Sequence, residues 1–151
     1  MTTLMVSLML TISNIMHVGQ LAEYYITQEE NSLNIKVVLE KEEMLSFNFK
    51  SNCDVQKMTS LCVSNHIKEN LIVEVNNKII LLDLGDSYTE YGHLILFFTG
   101  KLKNDKVSHL NIRSNCFYKF HANYRNRFIL NLEEFQNSYM LTKEKNSLSI
   151  K

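Results

Sequence analysis

The sequence predicts a single α+β domain, mainly antiparallel β and sandwich-like, with a helical insertion after the second strand. Three observations lead there. Most of the chain after residue 17 falls into short stretches that alternate apolar and polar, the period of a strand with one buried face. Short polar turns join these stretches, which favours antiparallel neighbours. From Asp54 to about residue 70 the apolar spacing changes to three and four, the helical period. A chain of 151 residues suits one domain, able to bury roughly two thirds of its unfolded surface without a metal or a bridge.

The elements follow in order. His17 to Thr27 reads as a first strand, with Val18, Leu21 and Tyr25 as its apolar points. Glu29 to Ser32 is a polar turn. Leu33, Ile35, Val37 and Leu39 then share one face of a second strand, against Asn34, Lys36 and Glu40 on the other. Lys41 to Lys50 holds Met44, Leu45, Phe47 and Phe49, a short helical turn and a strand-like piece. From Asp54, with Asp54 or Asn52 as N-cap, the stripe Val55, Met58, Leu61, Cys62 and Asn65 predicts an amphipathic helix.

The strand period returns at Leu71–Val75, and Asn76-Asn77 forms a turn tolerant of left-handed backbone. Ile79–Leu84 is the partner strand, broken by Gly85-Asp86-Ser87. Tyr88 to Lys101 contains a near-continuous apolar run, His93 to Phe98, suited to a strand buried on both faces. Lys103 to Lys106 reads as a hairpin turn into Val107–Arg113. After a basic, aromatic segment come strands at Phe128–Leu132 and Tyr139–Thr142 and a polar tail, Lys143 to Lys151. The total is about eight strands.

Ahead of this body runs Leu4 to Met16, almost wholly apolar. It has the length of a secretory h-region and is shorter than the roughly 20 residues of a membrane span. Residues 1–16 are accordingly expected to be a signal peptide, and residues 17–151 the β-rich domain. Met1-Thr2-Thr3 carries no Lys or Arg, and Ser13, Gly19 and Ala22 are the small residues near a cleavage point. The alternative is a buried first strand or helix of a cytosolic domain. The leader region has no Cys, so no lipid anchor is expected.

Lys+Arg 16 balance Asp+Glu 16, so the chain lacks the basic footprint of a nucleic-acid binder. With Gly 4 and Pro 0, turns rest on Asn, Asp and Ser, and no Gly-rich phosphate cradle exists. Cys53 and Cys62, placed on one helix, would stand about 13 Å apart along its axis, too far for a bridge. A bridge from either to Cys116 is open, and three unbridged thiols are the expectation.

The order of elements resembles a family of small exported bacterial proteins defined only as a domain of unknown function. The matching pieces are His17-Val18, Glu23-Tyr24-Tyr25, Leu33-Asn34-Ile35-Lys36, Val73 to Lys78, and above all Ser138 to Leu148. The resemblance spans nearly all of residues 17–150. This chain departs from the family pattern where Asn77 replaces the usual turn Gly and where the helical insertion is short. The resemblance implies a fold and export; it carries over no activity and no catalytic residue.

The chemistry-bearing residues are sparse. Among His17, His66, His93, His109 and His121 no pair has the i,i+2 or i,i+4 spacing that aims two imidazoles at one metal. If cleavage falls just before His17, a free amine beside it suits copper. Glu42-Glu43 and Glu133-Glu134 are adjacent, which on a strand sends them to opposite faces. No Gly-x-Ser-x-Gly elbow is present. No catalytic, cofactor or metal residue is therefore assigned.

Tyr118, Lys119, Phe120, His121, Tyr124, Arg125 and Arg127 interleave basic and aromatic side chains, the style of a single-stranded nucleic acid or polysaccharide grip. Zero net charge favours a loop packed by its own aromatics, with this segment as the candidate contact surface. The expected role is a non-enzymatic accessory or protein-interaction module, periplasmic or envelope-associated. Its partner would be a protein, met through sheet edges or this loop, with no cofactor and no nucleic acid. The rival is a metal-dependent or thiol hydrolase built on His109, Cys116 and His121. A small-ligand binder using the aromatic positions is a third, lesser alternative.

Overall fold

The computed structural model describes residues 20–151. Both the apolar leader and His17 lie outside them. The first strands are β1 (Leu21–Glu29) and β2 (Ser32–Glu40), followed by helices α1 (Lys41–Ser46) and α2 (Thr59–Asn70). Then come β3 (Leu71–Val75), β4 (Lys78–Ile79), β5 (Asp83–Glu90) and β6 (His93–Lys101). The chain closes with β7 (Leu110–Ser114), β8 (Arg125–Asn131), β9 (Gln136–Leu141) and β10 (Ser147–Ile150).

These strands form two sheets. One has six strands in the order β5-β6-β2-β1-β8-β9, the other four in the order β10-β7-β3-β4. The fold is α+β, mainly antiparallel, with the helices inserted after the second strand, as the sequence predicts. Buried residues of both sheets and both helices join in one apolar cluster. Strand β2 shows why this sheet forms: Leu33, Ile35, Val37 and Leu39 are all buried, and every alternate residue is only half-buried.

Several expectations are corrected. In β1 it is Ala22, Tyr24 and Ile26 that face the core, and Tyr25 is exposed. A one-residue error in register exchanges the two faces completely. Strand β1 also pairs with β8 in parallel, Tyr24 opposite Phe128, and those two rings stack at 4.4 Å. The strand expected over Ile79–Leu84 does not exist as one piece: β4 ends at Ile79, and residues 80–82 carry the chain from the small sheet to the large one. Gly85-Asp86-Ser87 lies inside β5 as a bulge between Leu84 and Asp86 rather than ending it. The break falls later, at Tyr91-Gly92, where both residues are left-handed (φ 48 and 79).

Lys103 to Lys106 is not a hairpin turn, because β6 and β7 belong to different sheets. Asn76 holds this crossing. Its side chain donates to the Lys106 carbonyl at 2.7 Å and accepts from the backbone N–H of Ser108 and His109 at 2.9 and 3.0 Å. The Asn76-Asn77 turn itself is as expected, with both residues left-handed (φ 50 and 65). The polar tail supplies a tenth strand, β10, which pairs with β7.

Helix α2 starts five residues later than Asp54, at Thr59. Asp54 instead caps a turn, accepting from the backbone N–H of Gln56 at 3.1 Å. The buried face of α2 is Cys62, Val63, His66 and Ile67, while Met58 and Leu61 are exposed at 41% and 48%. Cys53 therefore sits in the loop ahead of the helix, not on it. That loop folds back and bridges Cys53 to Cys62, with Cα atoms 5.6 Å apart. The expectation of three unbridged thiols fails because the helix-rise argument placed Cys53 on a helix that does not reach it.

Candidate functional site

The helical insertion and the 117–124 segment meet in an aromatic cluster. Phe47 stacks on Phe120 at 4.6 Å, Phe49 meets Phe120 edge-on at 5.0 Å, and Phe117 lies 4.9 Å from Tyr124. Rings that each bury some 150–250 Å² draw this segment inward. Of the residues expected to form a contact surface, Tyr124 is 0% exposed and Tyr118 8%, so both are core. Phe120, His121, Arg125 and Arg127 are half-buried, and Lys119 alone is exposed. Arg127 is paired with Glu23 at 3.3 Å, across the β8–β1 seam. The ammonium of Lys119 rests 4.8 Å over the Phe120 ring.

At the centre of the cluster is His66, a residue to which sequence reasoning gave no role. It projects from the buried face of α2 and is 5% exposed. The backbone N–H of Phe117 donates to its Nε2 at 3.0 Å. An accepting Nε2 puts the ring's proton on Nδ1, and the nearby Asn70 carboxamide nitrogen donates to the His66 carbonyl at 2.8 Å instead of to the ring. Burial lowers the imidazole pKa from 6.5 to about 4, helped by the nearby Lys119 charge. At neutral pH His66 is an uncharged acceptor. A visible signal for it was the four-residue step from Cys62, which puts both side chains on one helix face.

Beside His66 opens a pocket of 120 Å³. Cys62, Asn65, His66 and Glu69 supply one wall, all from a single face of α2. Phe49, Lys50, Asn52 and Cys53 supply the other, and Lys119 stands at its edge. Lys50 and Glu69 close across the mouth as an exposed ion pair at 2.6 Å. The two sulfurs of the Cys53–Cys62 bridge thus belong to residues that line an open pocket.

The hydrolase candidates each have other partners. His109 contacts Ser149 at 3.5 Å on β10, and His121 Nδ1 accepts from the backbone N–H of Asn123 at 3.3 Å. Cys116 is fully buried, and desolvation pushes its thiol up to about 11. A thiol held protonated is a poor nucleophile. Its carbonyl accepts from Asn126 Nδ2 at 3.2 Å, and Asn126 Oδ1 accepts from the Tyr24 hydroxyl at 2.9 Å, a buried polar chain of structural character. Among the described residues no group of three or more His, Cys, Asp or Glu is arranged to hold a metal ion.

A second buried polar spot joins Glu43 of α1 to the start of β1. Its Oε1 accepts from the Gln20 backbone N–H at 2.8 Å. Its Oε2 faces the neighbouring Tyr124 hydroxyl, and both atoms are buried. Burial raises the carboxyl pKa of Glu43 above its ordinary value.

No protein-family model matches the chain, and no curated protein matches it.

Proposed function

We propose that this protein is an exported, non-enzymatic interaction module of a bacterial envelope, and that its partner is a protein. The observation that carries the reading is the Cys53–Cys62 bridge. Bridges persist in oxidising compartments and are rare in the cytosol. The apolar segment Leu4 to Met16 supports the same reading, as does the resemblance to a family of exported domains. No helix among the described residues is long and apolar enough to cross a membrane.

The non-enzymatic part rests on the chemistry of the side chains. The buried histidine is an uncharged structural acceptor, and the one free thiol is protonated and shut away from solvent. The six-stranded sheet ends in β5 and β9, each hydrogen-bonded to a strand on one side only in the sheet order. Strand β5 carries Asp83, Asp86 and Glu90 and the exposed Tyr88. An edge of that kind takes an extended segment of a partner by strand addition. Acidic side chains along it favour a basic segment.

Site-specific cross-linking in the native envelope tests the partner. A photoreactive residue in place of Tyr88 is expected to give one recurrent protein adduct, and a probe at exposed Lys145 none. No adduct from the edge, or equal labelling from both positions, contradicts strand addition at β5.

A further inference from the structure

The Cys53–Cys62 bridge lies beside a solvent-open pocket whose walls include both cysteines. The two cysteines are not equivalent. Cys62 is 2% exposed and fixed within α2, whereas Cys53 is half-buried in the loop before it. The charges around them are also uneven. Lys50 is neutralised by Glu69 at 2.6 Å. Lys119 forms no ion pair among the described residues, lies within the field of the same Glu69, and leans on the Phe120 ring, so two lysines share one carboxylate. The pocket therefore offers a sulfur–sulfur bond next to one unbalanced positive charge. Thiol–disulfide exchange requires access for a thiolate, and it is favoured where positive charge meets that thiolate.

We propose that Cys53–Cys62 is a thiol-exchange site for small anionic thiols of the glutathione class, entered at Cys53. The incoming thiolate bonds to Cys53 Sγ as the Cys53–Cys62 bond breaks. The electron pair leaves on Cys62 Sγ, which takes a proton from water. A second small thiolate attacks the small-thiol sulfur of the mixed disulfide and releases Cys53 as a thiolate, which is then protonated. Two small thiols are oxidised to their disulfide, and the protein bridge is reduced to two thiols; the reverse sequence restores it. Entry at Cys53 follows from the near-complete burial of Cys62 against the half-buried Cys53. Carboxylate-bearing thiols are preferred because Lys50 and Lys119 at the pocket face a single carboxylate, Glu69. Cys116 is buried and takes no part.

Reduction would release the 50–58 loop from α2. Its other ties include the exposed Lys50–Glu69 pair, a hydrogen bond from Gln56 Nε2 to the Leu45 carbonyl at 3.3 Å, and, next to the helix start, bonds from Thr59 Oγ1 to the Val55 carbonyl at 2.7 Å and from the Cys62 N–H to the Met58 carbonyl at 2.9 Å, so the freed part is the stretch around Cys53. Neither sheet pairs through this loop. The β framework is therefore expected to survive reduction, and the loop and pocket to change.

The test uses the full, purified, oxidised chain in glutathione buffers of graded thiol-to-disulfide ratio, acid-quenched, alkylated and weighed. It is independent of where the protein works in the cell. Bridged, Cys53-glutathionylated and dithiol forms are expected to interconvert while far-UV circular dichroism stays native. A bridge that persists in every buffer until the protein is denatured overturns the proposal. Oxidised glutathione is expected to modify Cys62→Ser at Cys53 and to leave Cys53→Ser unmodified. Equal capture by both variants overturns entry at Cys53. Lys119→Glu is expected to slow the reaction with glutathione by roughly threefold and to leave that with neutral 2-mercaptoethanol unchanged. An unchanged ratio of the two rates overturns the anion preference. Should the cysteine variants fail to fold, the wild-type titration decides alone.

Discussion

The backbone N–H of Phe117 ends on Nε2 of His66, 3.0 Å away. This bond joins the helical insertion to the strand-linking loop 51 positions further along the chain. Phe117 is itself left-handed (φ 68), a conformation that costs a bulky residue free energy and persists only where its surroundings hold it. Because the bond uses the lone pair of Nε2, His66 must stay uncharged for it to exist.

Acid should therefore weaken the fold through His66. The unfolded imidazole titrates at 6.5 and the folded one at about 4. The folded-state pKa is depressed, so the stability contribution is complete above pH 6.5 and is lost as pH falls toward 4. The loss is on the order of 3 kcal/mol. Urea titrations across this window should show stability falling in the wild type and a flatter profile in His66→Gln. Parallel profiles would contradict a buried neutral imidazole.

Glu43 acts in the opposite direction. Its carboxyl pKa is raised by burial, so ionisation at neutral pH works against folding. Glu43→Gln keeps an oxygen for the Gln20 N–H and presents an uncharged amide to the Tyr124 hydroxyl. The variant should be more stable than wild type by about 1 kcal/mol at neutral pH. That gain should shrink as pH falls and the wild-type carboxyl takes up its proton. A destabilised variant at neutral pH would show that the Gln20 N–H, the Tyr124 hydroxyl and His121 favour the charge more than burial opposes it.

Cys116 should be inert. Its thiol is fully buried with a pKa near 11, so iodoacetamide at pH 8 should label it only after unfolding. Fast labelling in the native state would restore the thiol-hydrolase reading built on His109, Cys116 and His121.

Gly100 should tolerate no side chain. A Cβ there would collide with the Ile80 side chain and stand 3.2 Å from the Leu81 carbonyl, where residues 80–82 cross β6. Gly100→Ala should cost about 1–3 kcal/mol, read as a lower thermal midpoint with an unchanged far-UV spectrum. A neutral result would mean that the crossing segment moves freely.

The legible parts of this fold were those written in local periodicity. Alternation over Leu33 to Leu39 gave the buried face of β2, and Asn76-Asn77 marked a turn, because each depends on neighbours in the chain. The bridge was hidden by a boundary: Val55 and Met58 extended the helical stripe backward to an Asp that caps a turn instead. The pairing of β1 with β8 and the departure of β7 into the second sheet are long-range choices with no local mark. The site was hidden for the same reason. His66 is placed by Phe117, and the aromatics of 117–124 are drawn inward by Phe47 and Phe49, contacts that no spacing records.

Export and bridging, proposed together, are both read in one mass. The most direct measurement is the intact mass of the native protein from fractionated cells, taken without reductant. The expected species lies in the envelope fraction, lacks the leader, and is lighter by two hydrogens than its fully reduced form. A full-length 17.7 kDa chain in the cytosol with three free thiols would contradict both.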